Sequence, residues 1–414
     1  MKTMCKYNQR PILFLWLVLF LSLTKDSLHA EILQHKGGLY TFSLGGAAEF
    51  EYVSPDSDDA FAFTDGDARV THVKRPQSFR IDKITLMPKL SIDHWIHFNG
   101  EIEAFTDRTD IDQMFFREAY LLLDLTKDIS LKLGSDDRFF SPEFFSSLPL
   151  PDEDKRVTEA YPLLGVSFWE DEDLGLWLEG THTLSERWAV FWNGALTNGP
   201  TFDHDEVTRA HMYPIFAFDR DLTNVNFDTN DFKDISLGFG TSFQLIKNIS
   251  KIKFLAFGTY SKLTGFDIDF LVQTLPGYSS RSTINQFWGG NGEFTWNVFN
   301  LMGQYIHSQQ GNLVREGYYV QPTLTWQFKM RELRMVQVVS RYNALWTSNR
   351  GGYSTKTSAS PFTWDRSTYS FGLNFGFYNA VLFKNEYHFN DEETASIPKH
   401  VNNNEFISQL EIRF

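Results

Sequence analysis

One pattern constrains this 414-residue chain above all others. Apolar and polar residues alternate one by one over about sixteen separate stretches, the form of strands with one greasy and one wet face. The final stretch, residues 404–414, reads NEFISQLEIRF. Phe406, Ser408, Leu410, Ile412 and Phe414 fall on one face, and Ile407, Gln409, Glu411 and Arg413 on the other. The last residue of a soluble chain is usually frayed, so an aromatic there needs a reason. A bacterial outer-membrane barrel supplies one: its last strand closes the wall, and its outer face carries aromatics at the membrane boundary.

The rest of the chain repeats the motif. From Leu39, the residues Tyr40, Phe42, Leu44, Phe50 and Tyr52 alternate with Thr41, Ser43, Glu49 and Glu51. The segment 54–78 has no periodicity. Further strands are predicted over 79–91, 95–105, 113–125, 129–137, 174–183, 187–196, 234–246, 250–261, 288–298, 301–309, 317–328, 332–346, 366–377 and 380–390. The connections alternate in length. Short ones lie at Asp93, Thr126–Asp128, Leu184–Glu186, Lys247–Ile249, Phe299–Asn300, Lys329–Arg331 and Tyr378–Asn379. Mostly longer ones lie at 54–78, 107–112, 138–173, 197–233, 262–287, 310–316, 347–365 and 391–403. One-sided loop length is the form of hairpins inserted from one side of a membrane, so the expected fold is all-β: a transmembrane antiparallel barrel of about sixteen strands with short periplasmic turns and long outer loops.

Composition agrees. Forty Phe, sixteen Tyr and eleven Trp make 16% of the chain aromatic, enough for two girdles. The mean hydropathy of −0.30 suits strands with one wet face. The one long apolar run, Pro11–Leu23, follows Lys2, Lys6 and Arg10. It is too short to span a bilayer and suits a signal peptide over 1–30, cut between Ala30 and Glu31, with the barrel occupying 31–414. The single cysteine, Cys5, lies in that leader, so disulfides and cysteine-held metals are excluded from the mature chain. The net charge of −14 becomes more negative once the basic leader is lost, which argues against nucleic acid as a partner. Export of this kind makes outer-membrane lipid and lipopolysaccharide the expected surroundings.

The connection Asp136–Asp173 stands out. Phe139, Phe140, Phe144, Phe145, Leu148 and Leu150 are too apolar to lie in water. Either they fold onto the inner wall and narrow the lumen, or they pad the rim or a subunit interface. In the first case Asp136, Asp137, Arg138, Glu143, Asp152, Glu153, Asp154, Lys155 and Arg156 are candidates for the constriction, since charge and diameter set pore selectivity. Strand parity nominates Glu101, Glu103, Arg117, Lys132, Glu179, Arg187, Arg341, Lys384 and Glu386 as lumen-facing charges.

Residues 113–200 carry a family resemblance. Arg117-Glu118-Ala119-Tyr120-Leu121 leads through Leu131-Lys132-Leu133-Gly134 into Arg138-Phe139-Phe140-Ser141-Pro142-Glu143. Leu174-Gly175-Leu176-Trp177-Leu178-Glu179-Gly180 and Trp188-Ala189-Val190-Phe191-Trp192-Asn193-Gly194 follow. This order resembles the phosphate-selective porin O/P family. The resemblance implies a sixteen-stranded, trimeric porin with an inward third loop and anion selectivity. The mixed signs of the nominated lumen charges put passive diffusion of small hydrophilic solutes or ions first and phosphate or anion selection second.

No catalysis and no cofactor is required by this reading. A barrel hydrolase would need a nucleophile–base–acid set, and only His307 beside Ser308 and His388 near Asn390 approach one. An adhesive barrel using its long loops is a further alternative. His204 and His211 with Asp203, Asp205 and Glu206 read as a solvated loop in preference to a metal site. Gly289-Gly290-Asn291-Gly292 reads as a strand-end bulge or turn. Trp177 has lumen parity and is a candidate solute contact.

Overall fold

A computed structural model describes residues 33–36, 38–55, 59–64, 69–74, 77–105, 113–137, 139–140, 145–148, 158, 172–198, 233–247, 249–274, 282–330, 332–350, 365–378, 380–393, 399–401 and 404–414. Sixteen long strands form the wall. They are β1 (Tyr40–Pro55), β2 (Ser78–Ile92), β3 (Ile96–Phe105), β4 (Gln113–Thr126), β5 (Ile129–Asp137) and β6 (Glu172–Ser185). There follow β7 (Trp188–Thr197), β8 (Asp234–Ile246), β9 (Ser250–Lys262), β10 (Ile284–Trp296) and β11 (Phe299–Gln310). The last five are β12 (Leu313–Gln327), β13 (Leu333–Arg350), β14 (Asp365–Phe377), β15 (Val381–Glu393) and β16 (Glu405–Arg413).

Each strand pairs antiparallel with its sequence neighbours, and β1 pairs with both β2 and β16, so the sheet closes into a barrel. Closure leaves no unpaired edge between the first and last strands of the sheet. The seam is completed by the last residue: Phe414 and Gly46 exchange both backbone hydrogen bonds, at 2.9 and 2.8 Å. Below that point the short strand Leu33–Lys36 takes over, pairing with β1 from Leu44 to Thr41.

The alternation sorts the two faces. Ile235, Leu237 and Phe239 on β8 point outward and are exposed, while Asp234 and Ser236 point inward and are buried. The same holds on β15, where Phe389 is exposed and Lys384, Glu386, His388 and Asn390 are buried. Trp95, Trp188, Trp288, Trp296 and Trp326 are exposed and lie at or near strand ends, as an interfacial belt requires.

Four expectations need correction. The first outer connection is not featureless: Asp59–Thr64 and Arg69–Lys74 pair as a hairpin. The turn after β10 is Asn297–Val298 and not Phe299–Asn300, because Asn297 takes a left-handed backbone (φ 52°) that Asn tolerates. The connection predicted over 310–316 is a tight turn at Gly311–Asn312 between β11 and β12, with Gly311 at φ 60°. Gly289–Gly292 also differ from expectation. They lie inside β10 in unbroken register with both neighbours, and no bulge is present.

A helix, α1 (Gly265–Thr274), lies in the connection after β9. Thr264 and Asp267 cap it reciprocally. Thr264 N and Oγ1 donate to Asp267 Oδ2 at 2.6 and 2.8 Å, and Asp267 N donates to Thr264 Oγ1 at 3.2 Å. This is a capping box with Asp in the acidic position. Burial raises the Asp267 carboxyl above its usual range, against the bonds from Thr264 that lower it.

Candidate functional site: the inner wall and the third connection

The inner wall is largely polar, but over β9–β12 Leu255, Phe257, Phe287, Met302, Ile306 and Tyr319 are buried and form an apolar stretch. Phe139, Phe140 and Phe145 of the third connection join them in one apolar cluster, with Trp177, Ala195 and Leu345. The Phe140 ring stacks on Phe257 at 4.7 Å and meets the edge of Phe287 at 4.8 Å. Phe139 lies over Gly238, whose missing side chain makes the room: a Cβ there would sit 2.3 Å from the Phe139 ring.

Polar wall residues hold the backbone of the same segment. Asn291 Nδ2 and Gln304 Nε2 both donate to the Phe140 carbonyl, at 3.0 and 2.8 Å. Lys253 Nζ donates to the Phe145 carbonyl at 2.8 Å and lies 4.3 Å from the centre of that ring. Ser147 N donates to Glu293 Oε1 at 2.8 Å, and Asn300 Nδ2 reaches the same oxygen at 2.8 Å. Further on, Thr158 Oγ1 donates to Glu386 Oε2 at 2.6 Å, and His388 Nε2 lies 2.9 Å from that oxygen. The described parts of the connection therefore touch β9, β10, β11 and β15 on the inner face.

The nominated residues fare differently. Asp136 is buried and paired with Lys132, which also lies 3.4 Å from Glu179. Glu103 is buried and lies 3.4 Å from Lys83, which in turn lies 3.1 Å from Glu49; Glu101 is half-buried. Arg341 is buried, donates from Nε to Asn343 Oδ1 at 2.7 Å and stacks on Tyr319 at 4.0 Å. Lys384 and Glu386 are buried on the inner face of β15. Arg187 is a correction: it occupies the short turn before β7 and is exposed, so it is no wall residue. Trp177 lies on the inner face as its parity predicts, and it is 2% exposed within the apolar cluster. The side chains of Arg117 and Asp137 lie outside the described residues, as do Arg138, Glu143, Asp152, Glu153, Asp154, Lys155, Arg156, Ala30 and Glu31. So do Phe144, Leu150, His204 and His211.

His307 and Ser308 point to opposite faces, as neighbours on a strand must. His307 lies 3.5 Å from Glu316 on the outer face, and Ser308 is buried on the inner one. They form no catalytic pair.

Gln304, Phe257 and Phe287 were not singled out by sequence, and Asn291 was read only as part of a turn. A signal was present: Phe254-Leu255-Ala256-Phe257 runs apolar without alternation, which marks a wall apolar on both faces. A segment with six aromatic or aliphatic residues to cover needs such a landing place.

Solved structures share this architecture. The outer membrane channel DcaP of Acinetobacter baumannii superposes with a TM-score of 0.54 at 10% identity, over 92% of this chain and 100% of that one. The chain has the fold of an outer-membrane barrel. OprB of Pseudomonas putida gives 0.55 at 8% identity, over 91% of this chain and 94% of that one. OmpT of Vibrio cholerae, in its trimer form, gives 0.51 at 10% identity, over 91% and 100%. No family model matches the chain, and no curated protein matches it in sequence. At such identities the likeness is one of fold.

Proposed function

We propose that the protein is an outer-membrane porin, admitting small hydrophilic solutes or ions by passive diffusion through a lumen narrowed by the third outer connection. The observation that carries this reading is the pairing of a charged, polar inner wall with an aromatic segment held against it by Asn291, Gln304 and Lys253. A water-filled passage needs the first, and a constriction needs a rigid obstacle inside it. The fold shared with a protein described as an outer membrane channel supports it further. Export through a leader cut at Ala30–Glu31, residence in the outer membrane among lipid and lipopolysaccharide, and assembly as a homotrimer belong to the same reading. Assembly is supported by the trimer form of a barrel with this fold.

Phosphate selection is not carried forward. Three of the inner-wall cations are held by carboxylates: Lys132 by Asp136 and Glu179, Lys83 by Glu49 and Glu103, and Arg413 by Glu411. Pairing of this kind cancels much of the field an anion would follow. Purified protein reconstituted into planar bilayers is expected to give stepwise ohmic conductance. Correctly folded, inserted protein that carries no current ends the porin reading.

A further inference from the structure

Ser91, His97 and Asp124 meet on the inner face of three neighbouring strands. Cross-strand register sets Ser91 of β2 opposite His97 of β3, and His97 opposite Leu122 of β4. Ser91 Oγ lies 3.0 Å from His97 Nδ1. Asp124 Oδ2 lies 3.4 Å from His97 Nε2, on the other side of the ring. Unlike the buried Lys132 and Glu103, this set is open to the lumen: the His97 side chain is 26% exposed and that of Asp124 42%, and Ser91 is half-buried. It stands beside the short turn that joins β2 to β3, at that mouth of the barrel.

The acid selects the tautomer. A carboxylate accepts and does not donate, so beside Asp124 the proton of a neutral imidazole resides on Nε2. Nδ1 is then the acceptor for the Ser91 hydroxyl. This is the nucleophile–base–acid order of a serine hydrolase, with the two ring nitrogens exchanged relative to the commonest arrangement. Such sets are defined by geometry and roles and recur on unrelated folds, and their distances are often loose before substrate is bound. Leu122 shares the inward row of His97 and offers an apolar seat for a short acyl group, while the Asp124 carboxylate repels an anionic one. The next inward row, about 6.6 Å along the strands, pairs Lys89 with Asn99. Lys89 is exposed there, a cationic N–H donor on a long stem for a developing oxyanion.

We propose that Ser91, His97 and Asp124 hydrolyse neutral, short-chain carboxylic esters that enter the lumen. The activity goes beyond passive diffusion and does not depend on it. Ser91 Oγ bonds to the ester carbonyl carbon, and its proton passes to His97 Nδ1. The carbon–alkoxy bond breaks, and the leaving oxygen takes that proton and departs as the alcohol. Water then adds to the acyl carbon and gives a proton to Nδ1. The bond to Ser91 Oγ breaks, Oγ recovers the proton, and the carboxylic acid leaves. Asp124 is a positioning residue: it orients the ring and stabilises the imidazolium.

The test uses the full chain, folded in detergent, with 4-nitrophenyl acetate as the probe. Saturable release of nitrophenolate is expected. Ser91→Ala and His97→Ala should each lower kcat/KM about 100-fold, the scale of a nucleophile and its base. Asp124→Asn offers an N–H to Nε2, draws the ring proton to Nδ1 and removes the base, so kcat should fall at least tenfold with KM unchanged. Hydrolysis that Ser91→Ala leaves intact, or no hydrolysis by the wild-type protein, overturns the proposal. If the variants do not fold, a 4-nitrophenyl alkylphosphonate on the wild-type protein decides: peptide mapping should find the adduct on Ser91, and an adduct elsewhere or none refutes the site. Bilayer conductance is read separately, so this proposal and the porin reading can each fail alone.

Discussion

Phe414 closes the barrel on Gly46. Their main chains exchange two hydrogen bonds, and the Phe414 ring occupies the space where a side chain on residue 46 would stand, with Cε2 2.7 Å from an ideal Cβ. The backbone oxygen of Thr85 lies 2.6 Å from the same point.

Gly46→Ala therefore meets both a movable ring and a fixed carbonyl. Overpacking of this kind costs about 1–3 kcal/mol. The expected result is a smaller fraction of compact, heat-modifiable protein on unheated gels. Adding Phe414→Ala relieves only the ring contact, so the double variant should not regain the wild-type fraction. Full recovery would show that the Thr85 carbonyl is not the obstacle.

A second prediction concerns Phe139 and Gly238. Gly238→Ala places a methyl where the Phe139 ring lies, and Phe139→Leu removes that ring. Residues in contact commonly couple by about 0.5–3 kcal/mol. Thermal unfolding of both single variants and the double in detergent should show the double less destabilised than the sum. Simple additivity would mean that the ring does not sit over Gly238.

The Phe140 carbonyl accepts from Asn291 and Gln304 together. Replacing both by Ala removes two hydrogen bonds, each worth about 1 kcal/mol net, and leaves the apolar contacts of Phe140 in place. The segment should remain inside but fluctuate, raising open-channel current noise with little loss of folded protein. Current noise equal to that of the wild type would show that these bonds do not restrain the passage.

Helix α1 should respond to pH through Asp267. Its carboxyl is raised by burial above the ordinary value of 3.8. The folded loop then holds its proton more tightly than the unfolded one, so stability is greatest below that ordinary value and falls as pH rises through the raised one. Hydrogen exchange over 265–274 should speed up across that window beyond its intrinsic pH dependence. Asp267→Asn keeps an acceptor for Thr264 and should abolish the excess, whereas an unchanged excess would place its source elsewhere.

Much of the wall was legible in sequence because a strand's faces are written in single residues. Ile235, Leu237 and Phe239 against Asp234 and Ser236 need no knowledge of neighbours to be sorted. The placement of Lys132, Glu103, Arg341, Lys384 and Glu386 followed from the same parity. Arg187 failed because parity has no meaning one residue beyond a strand. The turn at Asn297–Val298 was displaced because Asn300 and Asn297 are equally good turn residues, and cross-strand register chose between them. The inner cluster was hidden for a different reason. Phe140 meets Phe257 and Phe287 across more than a hundred residues of chain, and no local pattern records such a meeting.

The sequence by itself determined that this chain makes strands with one apolar and one polar face, joined by connections of alternating length, because side-chain direction and turn length are local properties. The tertiary structure decided which faces meet. It set Phe414 against Gly46 and laid the described part of the third connection on β9–β11, because strand register and packing join residues that the chain keeps far apart.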